Sequence, residues 1–228
     1  MSVAHLPPPI TSAEFAAVET ADESRIEKFF GGAWKRTLHQ FFNQLPSLKD
    51  LQDFRRRKLG IRAREADAFG TFATNPGHWY SFHHGGRNEA QFNFGLRREY
   101  CRFGLGFEFS EKKGGDPFRV HAVYTCFLHE VPTHAASFDA AVRQQHFEVE
   151  WVARKNVNEL HVIPTREVPD WIRNLREDPY WIFIGRLLRA GTDDGVLGDP
   201  VRLAEVAANV FATIRPWYES TQLCARSI

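Results

Sequence analysis

The sequence is poor in cysteine, in net charge and in long apolar runs. Its 228 residues include three cysteines, and the formal net charge is only +1 at pH 7. Cys101, Cys126 and Cys224 form no CxxC pair and leave an odd thiol, so we expect a reducing, cytoplasmic environment rather than a secreted disulfide scaffold. The near-zero net charge excludes a uniformly basic nucleic-acid coat, and any polyanion would have to bind a local basic patch.

Membrane and catalytic signatures are also lacking. No run of 18 apolar residues and no charged segment leading into an apolar one is present, so the sequence predicts neither a membrane span nor a signal peptide. It contains no G-x-S-x-G elbow, phosphate-binding loop, dinucleotide fingerprint or H-E-x-x-H helix. With 43% hydrophobic residues, the chain is long enough to bury the core of one large domain, 1–228.

Period-two alternation marks the middle of the chain. In residues 101–109 the odd positions are apolar, and the even positions are polar or glycine, which is typical of a half-buried strand. Similar alternation over 91–97 and 118–128 predicts two more strands. Gly104 and Gly106 inside a strand indicate close approach of another backbone or of a ligand. The predicted organisation is an extended arm (1–10), a helical region (11–66), a β-meander (67–130) and a mixed region that ends in a helix (131–228).

Helical periodicity appears on both sides of this meander. Apolar residues at threes and fours predict a helix over about 22–44, and Ser47 is a plausible N-cap for the next one. Ser137 can cap a helix to about 155, although a strand at 147–151 competes with it. Strands are predicted at 160–163 and 180–188, and Asp199-Pro200 opens a last helix that Pro216 ends or kinks. The fold class is therefore α+β, a largely antiparallel twisted sheet packed by N-terminal and C-terminal helices.

Aromatic and basic side chains suggest nucleic-acid binding. A strand over 78–84 would place an aromatic ring and an imidazole on each face, and such rings can stack on an exposed base while arginines hold phosphate. The alternative is that Trp79 belongs to the core. The candidate binding residues are Arg55, Arg56, Arg57, Lys58, Phe72, Trp79, Tyr80, His83, His84, Arg87, Asn93, Arg97, Arg98, Arg102, Lys112 and Lys113.

A polar strand face and a basic helix are expected to form one binding surface. Alternation directs a set of polar side chains outward from the meander, opposite its apolar face. The arginine-rich run 55–58 lies on a predicted helix and supplies positive charge for phosphates. The outward set is Gln91, Asn93, Arg97, Arg102, Arg119 and His121.

Two other function classes remain open. Glu89-Ala90-Gln91 has an E-x-Q form, and with Asp67 it could hold Mg²⁺ in a metal-dependent deoxyribonuclease with Asp67, Glu89 and Gln91 as catalytic residues. The histidines at 78, 83 and 84 lack the spacing of a metal site, so outside the nuclease alternative no metal or other cofactor is predicted. The third class is a small-molecule enzyme or a protein-interaction domain.

One family resemblance favours the DNA-binding hypothesis. Phe69-Gly70-x-Phe72, Pro76 and Trp79, together with a closing helix that ends in Pro216-Trp217-Tyr218, resemble the N-terminal DNA-binding domain of McrB-type modification-dependent restriction proteins. The resemblance covers the middle third of the chain. It implies an α+β domain that flips methylated cytosine into an aromatic-lined pocket, with Trp79 and Phe72 lining that pocket.

The leading hypothesis is therefore a cytoplasmic DNA-binding protein of a restriction or defence type. Its expected partner is DNA, with a second copy of the chain or a restriction-system subunit as a possible protein partner. A membrane partner is not expected.

Overall fold

The chain folds into seven helices and seven strands among the residues described, which confirms the predicted α+β class. The computed structural model describes residues 6–20, 22, 24–25, 50–60, 73–75, 78–84, 90–108, 117–175 and 179–227. The helices are α1 (Ser12–Glu19), α2 (Leu51–Arg57), α3 (Pro117–Thr133), α4 (Ala135–Gln145), α5 (Val168–Asn174), α6 (Asp194–Leu197) and α7 (Pro200–Cys224). The strands are β1 (Ala73–Asn75), β2 (His78–His84), β3 (Gln91–Arg97), β4 (Tyr100–Glu108), β5 (Phe147–Ala153), β6 (Leu160–Ile163) and β7 (Pro179–Arg189).

All seven strands form one antiparallel sheet in the order β1-β2-β3-β4-β7-β5-β6. The late strand β7 lies between β4 and β5 and pairs with both along its length. Its nearly continuous apolar sequence suits this central position, because a central strand is covered on both faces. The predicted strands at 160–163 and 180–188 are therefore present.

The apolar face of the sheet packs against α7. Phe92 and Phe103 are fully buried there, and their rings contact two rings of α7, with Phe92–Tyr218 and Phe103–Phe211 centroid distances of 4.9 and 6.1 Å. The helix begins as predicted, because the side chain of Asp199 accepts hydrogen bonds from the first free N–H groups. Alternation in β3 and β4 thus identified the apolar face of the sheet correctly.

Close approach of β4 and β7 requires two glycines opposite each other. Gly104 pairs with Gly185, and a Cβ on Gly104 would lie 2.2 Å from the Ile184 carbonyl oxygen and 2.7 Å from the Gly185 Cα. A Cβ on Gly185 would lie 2.1 Å from the Phe103 carbonyl oxygen. The close approach predicted at Gly104 is thus that of another strand.

One secondary-structure prediction is wrong, and two others had left alternatives open. The segment 118–128 is not a strand but part of α3, in which Tyr124 and Phe127 are buried three residues apart and the exposed positions recur every four. Segment 147–153 is strand β5, so the helix predicted from Ser137 ends at Gln145. Helix α7 continues through Pro216 to Cys224. The helix predicted over 22–44 lies almost wholly outside the described residues.

A disulfide joins α3 to the end of α7. Cys126 and Cys224 are bonded with a Cα–Cα distance of 5.9 Å across 98 residues of sequence. Nothing in the sequence indicated this pair, since the spacing of the cysteines suggested reduced thiols. Cys101 is a buried free thiol whose pKa is raised by burial. A cross-link of this span stabilises a fold by roughly 4–5 kcal/mol in the chain-entropy account. No described helix combines the length and the apolar composition that crossing a bilayer requires.

We expect Gly104→Ala to lower the free energy of unfolding by about 1–3 kcal/mol, because the new methyl group meets backbone rather than a mobile side chain. The control is Gly195→Ala in α6, where a Cβ would meet nothing within 4 Å and a helical alanine adds about 0.5–1 kcal/mol. Urea denaturation of the two variants and the parent measures both effects. Equal stabilities of the two variants would contradict the close approach of β4 and β7.

Candidate nucleic-acid interface

The second face of the sheet is polar but buried. Gln91, Asn93 and Arg102 are 2%, 0% and 1% exposed, and the side chain of Arg97 is 11% exposed. The expectation that this face is open to solvent is therefore wrong for these residues. Of the predicted outward set, His121 is exposed on α3, and the side chain of Arg119 lies outside the described residues.

Glu150 of β5 is the centre of this polar face. Its side chain is fully buried, and it accepts hydrogen bonds from Arg97 Nε at 2.8 Å, Tyr100 Oη at 2.6 Å and Trp181 Nε1 at 3.2 Å. It also forms an ion pair with Arg102 Nη1. We call Arg97, Tyr100, Arg102, Glu150 and Trp181 the Glu150 cluster. It connects β3, β4, β5 and β7.

The charges of the Glu150 cluster support one another. Burial alone would raise the pKa of Glu150, but Arg102, Arg97 and the hydrogen bonds to its carboxylate hold that pKa far below its usual range. Burial lowers the pKa of Arg102, although the charge of Glu150 opposes this shift. Burial also raises the pKa of Tyr100, and the charge of Glu150 raises it further. The carboxylate of Glu150 is therefore ionised, and the neutral phenol of Tyr100 donates a hydrogen bond to it.

Arg102 is also held by aromatic rings and an amide. Its guanidinium carbon lies 5.1 Å from the centroid of the Trp181 ring and 5.0 Å from that of Phe183, within the range of cation–π attraction. Its Nε donates to Asn93 Oδ1 at 3.0 Å. Gly106 makes room for this arrangement, because a Cβ there would lie 2.6 Å from Trp181 Cη2. Arg102 is therefore committed to contacts inside the fold.

Two buried amides lie beside this cluster. Gln91 Nε2 and Asn93 Nδ2 have no hydrogen-bond partner among the described residues. Gln91 was a catalytic candidate under the nuclease alternative, and its proposed companions, Asp67 and Glu89, lie outside the described residues. In the part of the chain that the structure describes, no three His, Cys, Asp or Glu side chains come together in a group that could hold a metal.

The basic run on α2 divides between core and solvent. Arg55 is 2% exposed, so it lies with Leu51 on the buried side of the helix. The side chain of Arg57 is 80% exposed, and Lys58 is also exposed. Asp53 lies 3.8 Å from Arg56 and 4.0 Å from Arg57. The exposed cations thus point away from the core, and Asp53 partly balances two of them.

A second chain segment brings a cation close to the residues that follow α2. Phe54 of α2 packs on Tyr218 of α7 with a centroid distance of 6.2 Å. Just beyond α2, Gly60 has φ of +56°, and Arg226 Nη1 lies 3.7 Å from the position a Cβ on Gly60 would take. We call Arg56, Arg57, Lys58 and Arg226 the basic patch. Sequence reasoning missed Arg226, because nothing near it in the chain marks it.

The remaining candidates lie in three places. The backbone of β2 places Trp79 opposite Leu96, His83 opposite Asn93 and His84 opposite Phe92, with a register shift at Tyr80. Arg98 is exposed in the turn between β3 and β4. Several predicted residues lie outside the described part of the chain: Phe72, Arg87, Lys112 and Lys113. Comparison with protein-family models, with curated proteins and with solved structures finds no match.

We expect Glu150→Gln to cost about 3–5 kcal/mol of stability, because it leaves two buried guanidinium groups without their carboxylate. Glu148→Gln is the matched control. Glu148 lies two residues earlier on the same strand and pairs with Arg189, and the two side chains are 15% and 39% exposed. Because this pair is partly in contact with water, the loss should be clearly smaller than that for Glu150. Chemical denaturation at pH 7 compares the two variants, and equal losses would contradict a central role for Glu150.

The same variant tests the pH dependence of stability. Because the folded pKa of Glu150 is lowered, its contribution is complete above the unfolded value of about 4.3 and is lost as pH falls below it. Parent stability should therefore decrease from about pH 5 downward, and Glu150→Gln should show a smaller decrease. An identical acid profile for parent and variant would mean that another carboxylate causes the loss.

Proposed function

We propose that this chain binds DNA through the basic patch. The observation that supports the proposal is the position of Arg226 beside Gly60, which brings cations from the end of α7 and from α2 onto one exposed surface. Phosphate contacts of this kind need exposed, flexible cations and carry most of the sequence-independent affinity for DNA. Arg57, whose side chain is 80% exposed, is the expected centre of the contact.

Several exposed cations lie at this surface. The basic patch has four formal positive charges, and Asp53 lies 3.8 Å from Arg56 and 4.0 Å from Arg57. Exposed cations of this kind can bind a polyanion locally although the whole chain carries only +1.

We further propose a more specific role, in restriction or defence in the cytoplasm. It is supported by the resemblance to McrB-type DNA-binding domains, which assigns Trp79 and Phe72 to a pocket for a modified base. The backbone of β2, which carries Trp79, is paired with the well-buried strand β3. A stacking residue on such a strand would be held by the sheet rather than by a loop. Both roles are expectations from the resemblance.

We expect the triple variant Arg57→Ala, Lys58→Ala, Arg226→Ala to bind duplex DNA more weakly and with less salt dependence. Each lost phosphate contact should reduce the slope of log K against log salt by about 0.9. Fluorescence anisotropy of a labelled duplex over a salt series measures both quantities. The control is Arg166→Ala, whose side chain is 85% exposed in the turn before α5. Parent-like affinity and slope in the triple variant would remove the basic patch from the interface.

Trp79→Ala tests the modified-base role. If the ring stacks on a base, the change should cost about 1–3 kcal/mol in binding to methylated duplex while the melting temperature stays near that of the parent. If the ring is core, it should cost about 3–5 kcal/mol of stability instead. Titrations with methylated and plain duplex, with and without Mg²⁺, measure binding and reveal any strand cleavage. Equal affinity for both duplexes in the parent would contradict recognition of a modified base.

A further inference from the structure

We propose that the Cys126–Cys224 disulfide is a redox switch for the basic patch, with the oxidised protein binding DNA more tightly than the reduced one. The inference rests on the proposed function and adds its regulation. The bond fixes the last turn of α7 to α3, and Arg226 follows Cys224 by two residues. Opening the bond releases the segment that holds Arg226 beside Gly60.

The contacts at the end of α7 explain why the bond matters there. Thr221 and Gln222 are buried at 0% and 3%, but Leu223 is 43% exposed. Beyond Gln222, the ties that the structure describes include the disulfide, a partial apolar contact of Ala225, the approach of Arg226 to Gly60 and the hydrogen bond from the Ala225 N–H to the Thr221 carbonyl at 3.0 Å. Chain ends are poorly ordered unless they are tied down, and the disulfide is the only covalent tie described in this turn. Its loss should therefore let the turn fray.

The position of Arg226 depends directly on this turn. Its backbone N–H donates to the Leu223 carbonyl at 3.2 Å, and the Ser227 N–H donates to the Cys224 carbonyl at 2.9 Å. The turn after α7 thus depends on the carbonyl groups of Leu223 and of the disulfide-bonded Cys224. If that turn frays, Arg226 loses its fixed position while Arg57 and Lys58, which lie on α2, keep theirs.

The chemistry is an ordinary thiol–disulfide exchange. A reducing dithiol attacks the more accessible sulfur, that of Cys224, because Cys126 is 1% exposed and Cys224 is only partly buried. A mixed disulfide forms as the Cys126 thiolate leaves and takes up a proton. The second thiol of the reductant then releases Cys224 as a thiol. Two electrons and two protons pass to the protein, and the dithiol becomes a disulfide.

The proposed compartment makes both redox states relevant. A cytoplasm keeps protein thiols reduced, and cytosolic disulfides tend to be transient or redox-sensing. The pair would therefore be open under ordinary conditions and closed under oxidative stress. Cys101 does not compete for either partner, since it is fully buried in β4, so one thiol is expected in the oxidised protein and three in the reduced one.

The experiment combines two changes, reduction of the disulfide and the substitution Arg226→Ala, separately and together. Parent and Arg226→Ala are each prepared oxidised and reduced with dithiothreitol, and alkylation with mass spectrometry counts the thiols. Reduction and Arg226→Ala should each weaken duplex binding by roughly 3- to 10-fold and reduce the salt slope by about 0.9, the signature of one phosphate contact. Reduction of Arg226→Ala should add nothing further. Additive effects would overturn the switch.

Two further measurements distinguish failure of the redox switch from failure of the DNA-binding proposal. Cys224→Ser should bind DNA with the affinity of the reduced parent, and adding the reductant should not change that affinity. Circular dichroism must show that each sample remains folded at the assay temperature. Hydrogen exchange without DNA should become faster at residues 223–227 on reduction. Unchanged exchange would refute the switch whether or not DNA binds. Faster exchange together with no DNA binding in either redox state would refute the proposed function instead, and the DNA-linked switch with it.

Discussion

The described fold depends on one buried carboxylate that balances two guanidinium groups. Glu150 connects strands that are not neighbours, since β7 lies between β4 and β5 and contributes the Trp181 indole to the same cluster. Taking these charges out of water is costly, and it is tolerated only because the carboxylate oxygens accept several hydrogen bonds at once. The cluster therefore fixes which strands lie together on the polar face, while aromatic packing holds the other face.

This cluster also explains where sequence reasoning succeeded and failed. Alternation in 91–97 and 101–109 gave the strands and the apolar face, because that pattern reflects only which side chains lie together. It could not show that the polar face is buried, since Arg102 finds its partner 48 residues away. A polar residue on a strand looks the same in sequence whether it meets water or a distant carboxylate.

Other features could not be predicted for the same reason, because a local sequence pattern does not show contacts between distant residues. Tyr124 and Cys126 fit a period of two as well as a helix, and only the exposed positions at His121, Thr125 and His129 distinguish α3 from a strand. The pairing of Cys126 with Cys224 needs α3 and α7 to lie side by side, which no local pattern states. By contrast, Asp199-Pro200 predicted the start of α7 correctly, because N-capping acts within one turn of the helix.

Burial divides the cations of this chain by role. Arg55 and Arg102 are inside the fold, where a phosphate could reach them only after the structure opens, so their charge serves stability. Arg57, Lys58 and Arg226 are exposed, and their charge costs little to keep in water and is available to a polyanion. The basic run at residues 55–58 contains both buried and exposed cations, and the sequence alone does not distinguish them. The DNA-binding proposal consequently depends on the exposed cations of α2 and on Arg226, whose place beside them is set by the end of α7.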